Sequence, residues 1–192
     1  VSAKDVILEM LRRHGVKGGV GRIIEYYGPG LDCLSAMDRH VIANMGAELG
    51  ATSSVFPADG EIKRYLKSVG RSDVFTEILA DEGATYDLHD AIHLSSLEPL
   101  IAKPSSPANV VPVHDCVGEK ITQSYIGSSA NPGYRDFAVS AMMVDGKMAA
   151  EGVSYDVNPT SREMLTNLLN QGHLGSLIQF GARMHQAGCN GC

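Results

Sequence analysis

Two cysteines near the end of the sequence have the spacing of a metal site. Cys189 and Cys192 form a Cys-x-x-Cys pair, whose two thiolates can bind one metal ion or two irons of a cluster. The same spacing also occurs in redox pairs, which require a following helix and a thioredoxin-like context. Simple packing of the two side chains is a third interpretation. The spacing favours a metal or a cluster over the other two.

The segment Ile126–Asn131, with the sequence IGSSAN, is a second candidate site. It follows a predicted strand and precedes a predicted helix, which is where open α/β sheets bind ligands. Backbone N–H groups and hydroxyls in such a loop can hold an anion. The pattern alone favours a simpler interpretation, a Ser/Gly-rich turn with an asparagine cap.

Asn44 and Glu48 are a third candidate, because they lie one helical turn apart beside an apolar row. Val41, Met45 and Leu49 repeat every four residues, which predicts a core-facing row. Glu48 follows Val41 by seven residues and is therefore predicted to point in nearly the same direction, into a crevice or an ion pair at its edge. The alternative is a structural pair at a helix end, bonded to neighbouring backbone.

Composition limits the class of protein. The 192 residues suffice for one sizeable domain or two small ones. The net charge of -6 argues against a nucleic-acid surface, and no apolar run approaches the length of a membrane span. The four cysteines are unevenly spaced, which favours a reduced, cytoplasmic compartment over a disulfide framework. The seven histidines show no ligand spacing. The chain begins with Val1 and ends on Cys192, so we expect a segment of a longer polypeptide.

Periodicity and cap residues predict alternating helices and strands, hence an α/β fold with parallel pairing. Three prolines in AKPSSPANVVPV predict a connection between domains at residues 1–103 and 104–192. Helices are predicted from the Ser2–Asp5 capping box to Gly15, at Val41–Leu49 after the caps Ser35 and Asp38, from Asp59 to Val69, around Val74–Ala80, at Tyr134–Met143 and from Asn158 to Leu169. Strands are predicted at Ile23–Tyr27, 51–56, Ala91–Leu94, 120–127 and Val153–Val157.

These stretches together resemble the aconitase superfamily of iron–sulfur hydro-lyases. VKGGVGRIIEYYGPG, VIANMGAELGATSSVFP and YLKSVGR look like successive signatures of that family's second domain. IGSSAN lies where the family usually has Ile-Gly-Ser-Cys-Thr-Asn, and GCNGC lies where it has a Cys-x-x-Cys. The resemblance runs in order from about Ser2 to Cys192.

The resemblance implies two three-layer α/β/α lobes with mainly parallel sheets, joined near Lys103–Pro107. Residues 1–103 match the second of the family's four domains, and residues 104–192 match much of the third. The remaining domains of the parent chain are the implied partners, together with a small tricarboxylic or dicarboxylic hydroxy acid. No nucleic-acid or membrane partner is implied.

The resemblance also implies a [4Fe–4S] cluster, with Cys189 and Cys192 as two ligands. The first ligand position falls on Ser129, which departs from the family pattern, while Asn131 is retained. A serine oxygen is a hard ligand that holds its proton tightly, so it ligates iron poorly at neutral pH. We therefore expect no cluster in the isolated chain.

In the family, the residue matching Glu48 bonds the water or hydroxyl on the open iron, and the one matching Asn44 fixes the cluster's surroundings. The implied activity of the parent is interconversion of citrate and isocitrate through cis-aconitate. Relatives acting on isopropylmalate, homocitrate or methylcitrate are the next candidates, and a non-catalytic binding or regulatory domain without a cluster is the rival. The residues that abstract the proton and grip the carboxylates lie in other domains, so the isolated chain is expected to be inactive.

Overall fold

The structure, a computed structural model, describes residues 2–128 and 131–190. It divides the chain into two compact units, Val1–Val117 and Gly118–Cys192, called unit 1 and unit 2 below. The predicted α/β class is confirmed, since helices alternate with short strands that pair mostly in parallel. Each unit is described by itself.

Six helices and seven strands occur in the described residues. The helices are α1 (Ala3–His14), α2 (Ala36–Asn44), α3 (Gly60–Ser68), α4 (Tyr134–Val144), α5 (Arg162–Asn170) and α6 (His173–Phe180). The strands are β1 (Ile23–Glu25), β2 (Ser53–Val55), β3 (Leu100–Ala102), β4 (Val110–Pro112), β5 (Gln123–Ile126), β6 (Ser154–Val157) and β7 (Ala182–Met184). No helix in the described ranges combines the length and the apolar character that crossing a membrane requires.

The start of α1 shows why the cap prediction succeeds. Ser2 accepts a hydrogen bond from the backbone N–H of Asp5, and the Asp5 carboxylate accepts one from the backbone of Ser2, which completes the predicted capping box. Gly15 ends the helix with φ 69°, and its N–H bonds to the carbonyl of Leu11. The helix then buries an apolar face that includes Ile7 and Leu11, both fully buried.

Two predicted elements of unit 1 are wrong. The helix expected at Val74–Ala80 is a single 3₁₀ turn, Ser72–Val74, after which Ile78 forms an isolated bridge with Ala58. The strand expected at Ala91–Leu94 is also absent from the described chain, where a 3₁₀ turn begins at Leu94. The first stretch has no buried face to stabilise a helix, since Val74 and Ile78 are exposed. In the second, Ile92 and Leu94 pack against the core of unit 1 without a paired strand.

The proline-rich segment predicted to connect domains lies inside unit 1. Strands β3 and β4 pair antiparallel, and the residues from Lys103 to Asn109 form the loop of this hairpin. The division between units follows Val117 instead of Lys103. The prolines therefore belong to a hairpin loop, which sequence alone does not distinguish from an interdomain connection. The assignment of the units to the family's second and third domains stays a prediction.

Unit 2 is a three-stranded parallel sheet, in the order β5-β6-β7, packed against three helices. Phe137, Leu168 and Leu177 from the helices are fully buried and meet the apolar sheet face at Tyr155 and Val157. The expected strand and helix bounds from β5 to α5 are confirmed to within a few residues. Helix α6 and strand β7 were not predicted, because β7 is only three residues long and has an arginine at its centre.

The opposite face of this sheet is polar. It carries Gln123 on β5, Asp156 on β6 and Arg183 on β7, and both Gln123 and Arg183 donate hydrogen bonds to Asp156. The described part of unit 2, taken alone, thus has two layers in place of the expected three. A polar sheet face offers no apolar surface against which a second helical layer would pack.

Candidate active site

Three loops meet at one edge of the sheet in unit 2. Strands β5, β6 and β7 are parallel, so the segments that follow them leave from the same edge. Their described residues are Gly127, Ser128 and Asn131 after β5, Asn158–Thr160 after β6, and His185–Asn190 after β7. The Ser128 hydroxyl oxygen lies 3.7 Å from the Cys189 sulfur, so the predicted anion or cluster loop does lie beside the Cys-x-x-Cys loop.

Backbone hydrogen bonds continue past the strand ends and hold these loops in place. The N–H of Asn158 donates to the carbonyl of Ile126 over 2.7 Å, and the N–H of Gly188 donates to the carbonyl of Pro159 over 3.0 Å. Gly127 passes so close to the middle loop that an added Cβ would lie 2.6 Å from the Cβ of Asn158. The glycine in IGSSAN is therefore required by close packing of two loops.

Two of the predicted cofactor-binding residues, Cys189 and Asn131, lie within the described residues at this edge. Cys189 is exposed and Asn131 is half-buried, whereas Ser128 is buried. Ser129 and Cys192 lie outside the described residues. Within the described ranges, no group of three or more histidine, cysteine, aspartate or glutamate side chains forms a metal site.

The donor chemistry of these loops fits a thiolate-bound group at two of the three expected positions. Cys189 and Cys192 would supply soft sulfur ligands, which iron–sulfur clusters require. Ser128, which precedes position 129 in the sequence, contacts Cys189 directly. That position supplies a hydroxyl, so the third thiolate of the family pattern is not present in the sequence at this place.

The predicted orientation of Glu48 is wrong, although the apolar row itself is confirmed. Val41 and Leu49 are buried, while Asn44 and Glu48 are both exposed. Helix α2 ends at Asn44, and the next N–H groups bond three residues back, including that of Glu48 to Met45 over 3.2 Å. The α-helical periodicity from which the direction of Glu48 was predicted therefore stops before this residue.

Asn44 borders a shallow depression between the end of α2 and the start of β2. His40, Thr52 and Ser54 also line it. Behind it, burial raises the pKa of Tyr26 to about 12, and the adjacent Ser54 hydroxyl acts in the opposite direction. Unit 1 therefore presents Asn44 beside hydroxyl groups, at an open surface.

A buried carboxylate organises the polar sheet face in unit 2, and sequence reasoning missed it. Asp156 is fully buried and accepts two hydrogen bonds from the Arg183 guanidinium, at 2.8 and 2.9 Å. Gln123 donates to it over 2.6 Å, and the Nε2 atom of His185 lies 2.9 Å away. The hydrogen bonds from Arg183, followed by those from Gln123 and His185, hold the pKa of Asp156 well below its ordinary value. In the sequence, Ser154, Asp156 and Asn158 alternate with apolar residues, and this pattern predicts a strand with one polar face.

Comparison with known proteins defines the class. The Aconitase family (aconitate hydratase) matches residues 1–192. A 3-isopropylmalate dehydratase large subunit 2 of Archaeoglobus fulgidus is 33% identical over 192 residues, covering 100% of this chain and 46% of that protein. A mitochondrial aconitate hydratase of Gracilaria gracilis is 37% identical over 210 residues, covering 100% of this chain and 27% of that protein. The corresponding protein of Candida albicans is 35% identical over 211 residues.

The chain belongs to the Aconitase family, as the resemblance implied. It spans less than half the length of these curated relatives.

Proposed function

We propose that the polypeptide containing this chain is a hydro-lyase that removes water from, and adds it to, a small hydroxy acid. The observation that carries the proposal is the meeting of the Ser128 hydroxyl and the Cys189 thiol, 3.7 Å apart, at the carboxyl edge of a parallel sheet. Membership of the Aconitase family supports it. The relatives named above are hydratases and dehydratases by name.

Cys189 and Cys192 are the proposed ligands of an iron–sulfur cluster, with Ser129 at the remaining ligand position and Asn131 as a further residue of the site. When bound, such a cluster supplies a Lewis acid for the leaving hydroxyl of the substrate. The contact between Cys189 and the buried Ser128 supports this assignment.

Glu48 is the proposed group that exchanges a proton with the departing or entering water, and Asn44 is proposed to help fix the surroundings of the cluster. The Glu48 carboxylate is exposed in unit 1 and therefore open to a ligand. A positioned carboxylate acting as general acid or base contributes roughly 10²- to 10⁴-fold to a rate. Asn44, at the end of α2, is exposed and offers both a donor and an acceptor.

Citrate and isocitrate, interconverted through cis-aconitate, are the first proposed substrates. The description of the matched family, aconitate hydratase, supports them. Sequence identity separates the two classes little, at 37% and 35% for two aconitate hydratases against 33% and 35% for two 3-isopropylmalate dehydratase large subunits.

Isopropylmalate is the second candidate, and alignment length favours it. The comparison with the Archaeoglobus fulgidus subunit spans 192 positions, the same as this chain, whereas the aconitate hydratases need 210 and 211. The aconitate hydratases therefore contain insertions that this chain and the isopropylmalate dehydratase subunit lack.

The test is anaerobic reconstitution of the longest natural polypeptide that contains these residues, with iron and sulfide, followed by spectroscopy. Hydration and dehydration are then assayed separately with isocitrate and with isopropylmalate. Turnover of either substrate identifies it. A protein that binds a cluster and turns over neither contradicts the proposal, and one without cluster or activity supports the non-catalytic rival.

Ser129→Cys sharpens this test. If the serine limits cluster binding, the variant should bind more iron per chain than the unmodified protein after the same treatment. If the unmodified protein already binds about four irons per chain, the serine does not limit assembly. The remaining cysteines, Cys33 and Cys116, both lie in unit 1 and provide Cys→Ala controls for recruitment of another thiolate.

A further inference from the structure

The loop between the two ligand-bearing loops contains two side chains, Asn158 and Thr160, that each hydrogen-bond to one of those neighbouring loops. This loop, Asn158-Pro159-Thr160, follows β6 and lies between the loops that follow β5 and β7. The sequence pattern assigned it only a role in starting a helix. In the structure α5 is capped by Ser161, so Asn158 and Thr160 are not needed as caps.

Asn158 is fully buried and uses its whole hydrogen-bonding capacity. Its carboxamide oxygen accepts from the Tyr125 hydroxyl over 3.1 Å and from the N–H of Asn190 over 3.2 Å. Its amide nitrogen donates to the carbonyl of Gln186 over 2.8 Å and to that of Pro159 over 3.3 Å. An amide side chain has two acceptor sites and two donors, so all four are occupied. The bonds to Gln186 and Asn190 hold the backbone on either side of Cys189.

Thr160 anchors the loop that follows β5. Its hydroxyl lies 3.1 Å from the carbonyl of Ser128 and 3.1 Å from the carbonyl of Pro132, and its one proton is shared between them. These two carbonyls flank positions 129 to 131. The Thr160 hydroxyl therefore contacts the backbone on both sides of the segment that contains Ser129.

In their described residues both anchored loops lack regular structure, and the loop around Cys189 contains Gly188, with φ 135°. Glycine-rich backbone has many accessible conformations, so its geometry must be fixed by outside contacts. Ligands of a metal group need fixed geometry, and residues that orient them are worth about 10- to 100-fold in metal affinity.

We propose that Asn158 and Thr160 are positioning residues, which fix the loops on both sides of Cys189 and of position 129 respectively. The anchoring of the loops stands on the hydrogen bonds alone. Its importance for a cluster rests on the proposed function.

The experiment measures amide hydrogen exchange in the cluster-free polypeptide, in peptides covering 126–132 and 186–190. Thr160→Val, of nearly the same shape, should raise exchange in 126–132 roughly tenfold and leave 186–190 within twofold. Asn158→Ala should raise exchange in 186–190 by a similar factor and leave 126–132 within twofold. Thr160→Ser, which keeps the hydroxyl, should restore protection.

Thr166→Val is the matched control. The Thr166 hydroxyl also donates to a backbone carbonyl, that of Arg162 over 2.9 Å, but it lies on the exposed side of α5. It should leave both peptides unchanged. If Asn158→Ala does not fold, the Thr160→Val and Thr160→Ser pair still decides the point. Unchanged exchange in both loops, or an equal rise throughout unit 2, would overturn the proposal.

Iron release to a chelator then separates the two proposals. If the reconstituted protein binds a cluster, Thr160→Val and Asn158→Ala should each release iron about 10- to 100-fold faster than the unmodified protein. Suppose that Thr160→Val raises exchange only in 126–132 and Asn158→Ala only in 186–190, but the protein never takes up iron. This result would contradict the proposed cluster and support the anchoring role. The same exchange results together with an unchanged rate of iron release would show that Asn158 and Thr160 anchor the loops but do not stabilise cluster binding.

Discussion

The two units present their candidate residues in opposite ways. Asn44 and Glu48 are exposed, at a helix end and on a turn, and can be replaced without disturbing a core. The loops of unit 2 are held by buried polar side chains, Asn158 and Asp156 among them. Substitution of Asn44 or Glu48 should therefore change activity with little effect on stability. Substitution of the buried residues of unit 2 should change the free energy of unfolding.

The largest expected effect concerns Glu48. Glu48→Gln in the reconstituted polypeptide should lower the hydration rate by roughly 10²- to 10⁴-fold, because a neutral amide cannot exchange the proton. The free energy of unfolding should change by less than about 0.5 kcal/mol, since the side chain is exposed. Steady-state assays and urea titration measure the two quantities. Glu82→Gln, also exposed in unit 1, is the control. Activity within twofold of the unmodified protein would remove Glu48 from the mechanism.

Gly127→Ala should be the most destabilising of these changes in unit 2. The new Cβ would lie 2.6 Å from the Asn158 Cβ and 2.9 Å from its carbonyl oxygen, so the backbone has to move. Overpacking of this kind costs about 1 to 3 kcal/mol.

Gly175→Ala is the matched comparison for Gly127→Ala. Gly175 lies in α6 with nothing within 4 Å of an added Cβ, and alanine there should stabilise the helix by about 0.5 to 1 kcal/mol. Urea titration of both variants should give opposite signs. The same sign for both would mean that the loops in unit 2 are less tightly packed than the structure shows.

Acid should weaken unit 2 through Asp156. Its pKa is depressed in the folded state by the hydrogen bonds from Arg183 and then Gln123, so the carboxylate stabilises the fold above its ordinary pKa of about 4. That contribution is lost as the pH falls below 4 and the unfolded state takes up the proton first. The free energy of unfolding should decline with falling pH more steeply in the unmodified protein than in Asp156→Asn. Asp145→Asn, at an exposed carboxylate of unit 2, should retain the unmodified slope.

The smallest expected effect is in unit 1, at Tyr26. Burial raises the pKa of this phenol to about 12, so the neutral form is favoured on folding, and this contribution is lost as the pH rises from about 10 through 12. Tyr26→Phe should change the free energy of unfolding near neutral pH by less than about 1 kcal/mol, since no strong partner is lost. Ultraviolet titration should show one tyrosine fewer ionising near pH 12. Loss of a group titrating near pH 10 instead would contradict the burial of this hydroxyl.

Local sequence determined the elements whose signals are carried by neighbouring residues. The Ser2–Asp5 and Ser35–Asp38 capping boxes are both present, because each is a set of bonds between residues three apart. The alternation of strand, loop and helix from β5 to α5 was likewise predictable, as was the family, from ordered motifs spread over the chain. The pairing of the Ser128 and Cys189 loops remained an implication of the resemblance until the geometry gave the 3.7 Å contact.

Only the tertiary structure decided the direction of Glu48 and the roles of Asn158 and Asp156. Periodicity assumes a continuous α-helix, so it fails where α2 ends at Asn44 and the following turns wind more tightly. Strand β7 is too short for a local signal and forms because β6 offers it a hydrogen-bonding edge. Asn158 gains its partners from segments that lie about 30 residues away on either side of it in the sequence. Contacts of that range depend on the packed sheet, which no local window of sequence contains.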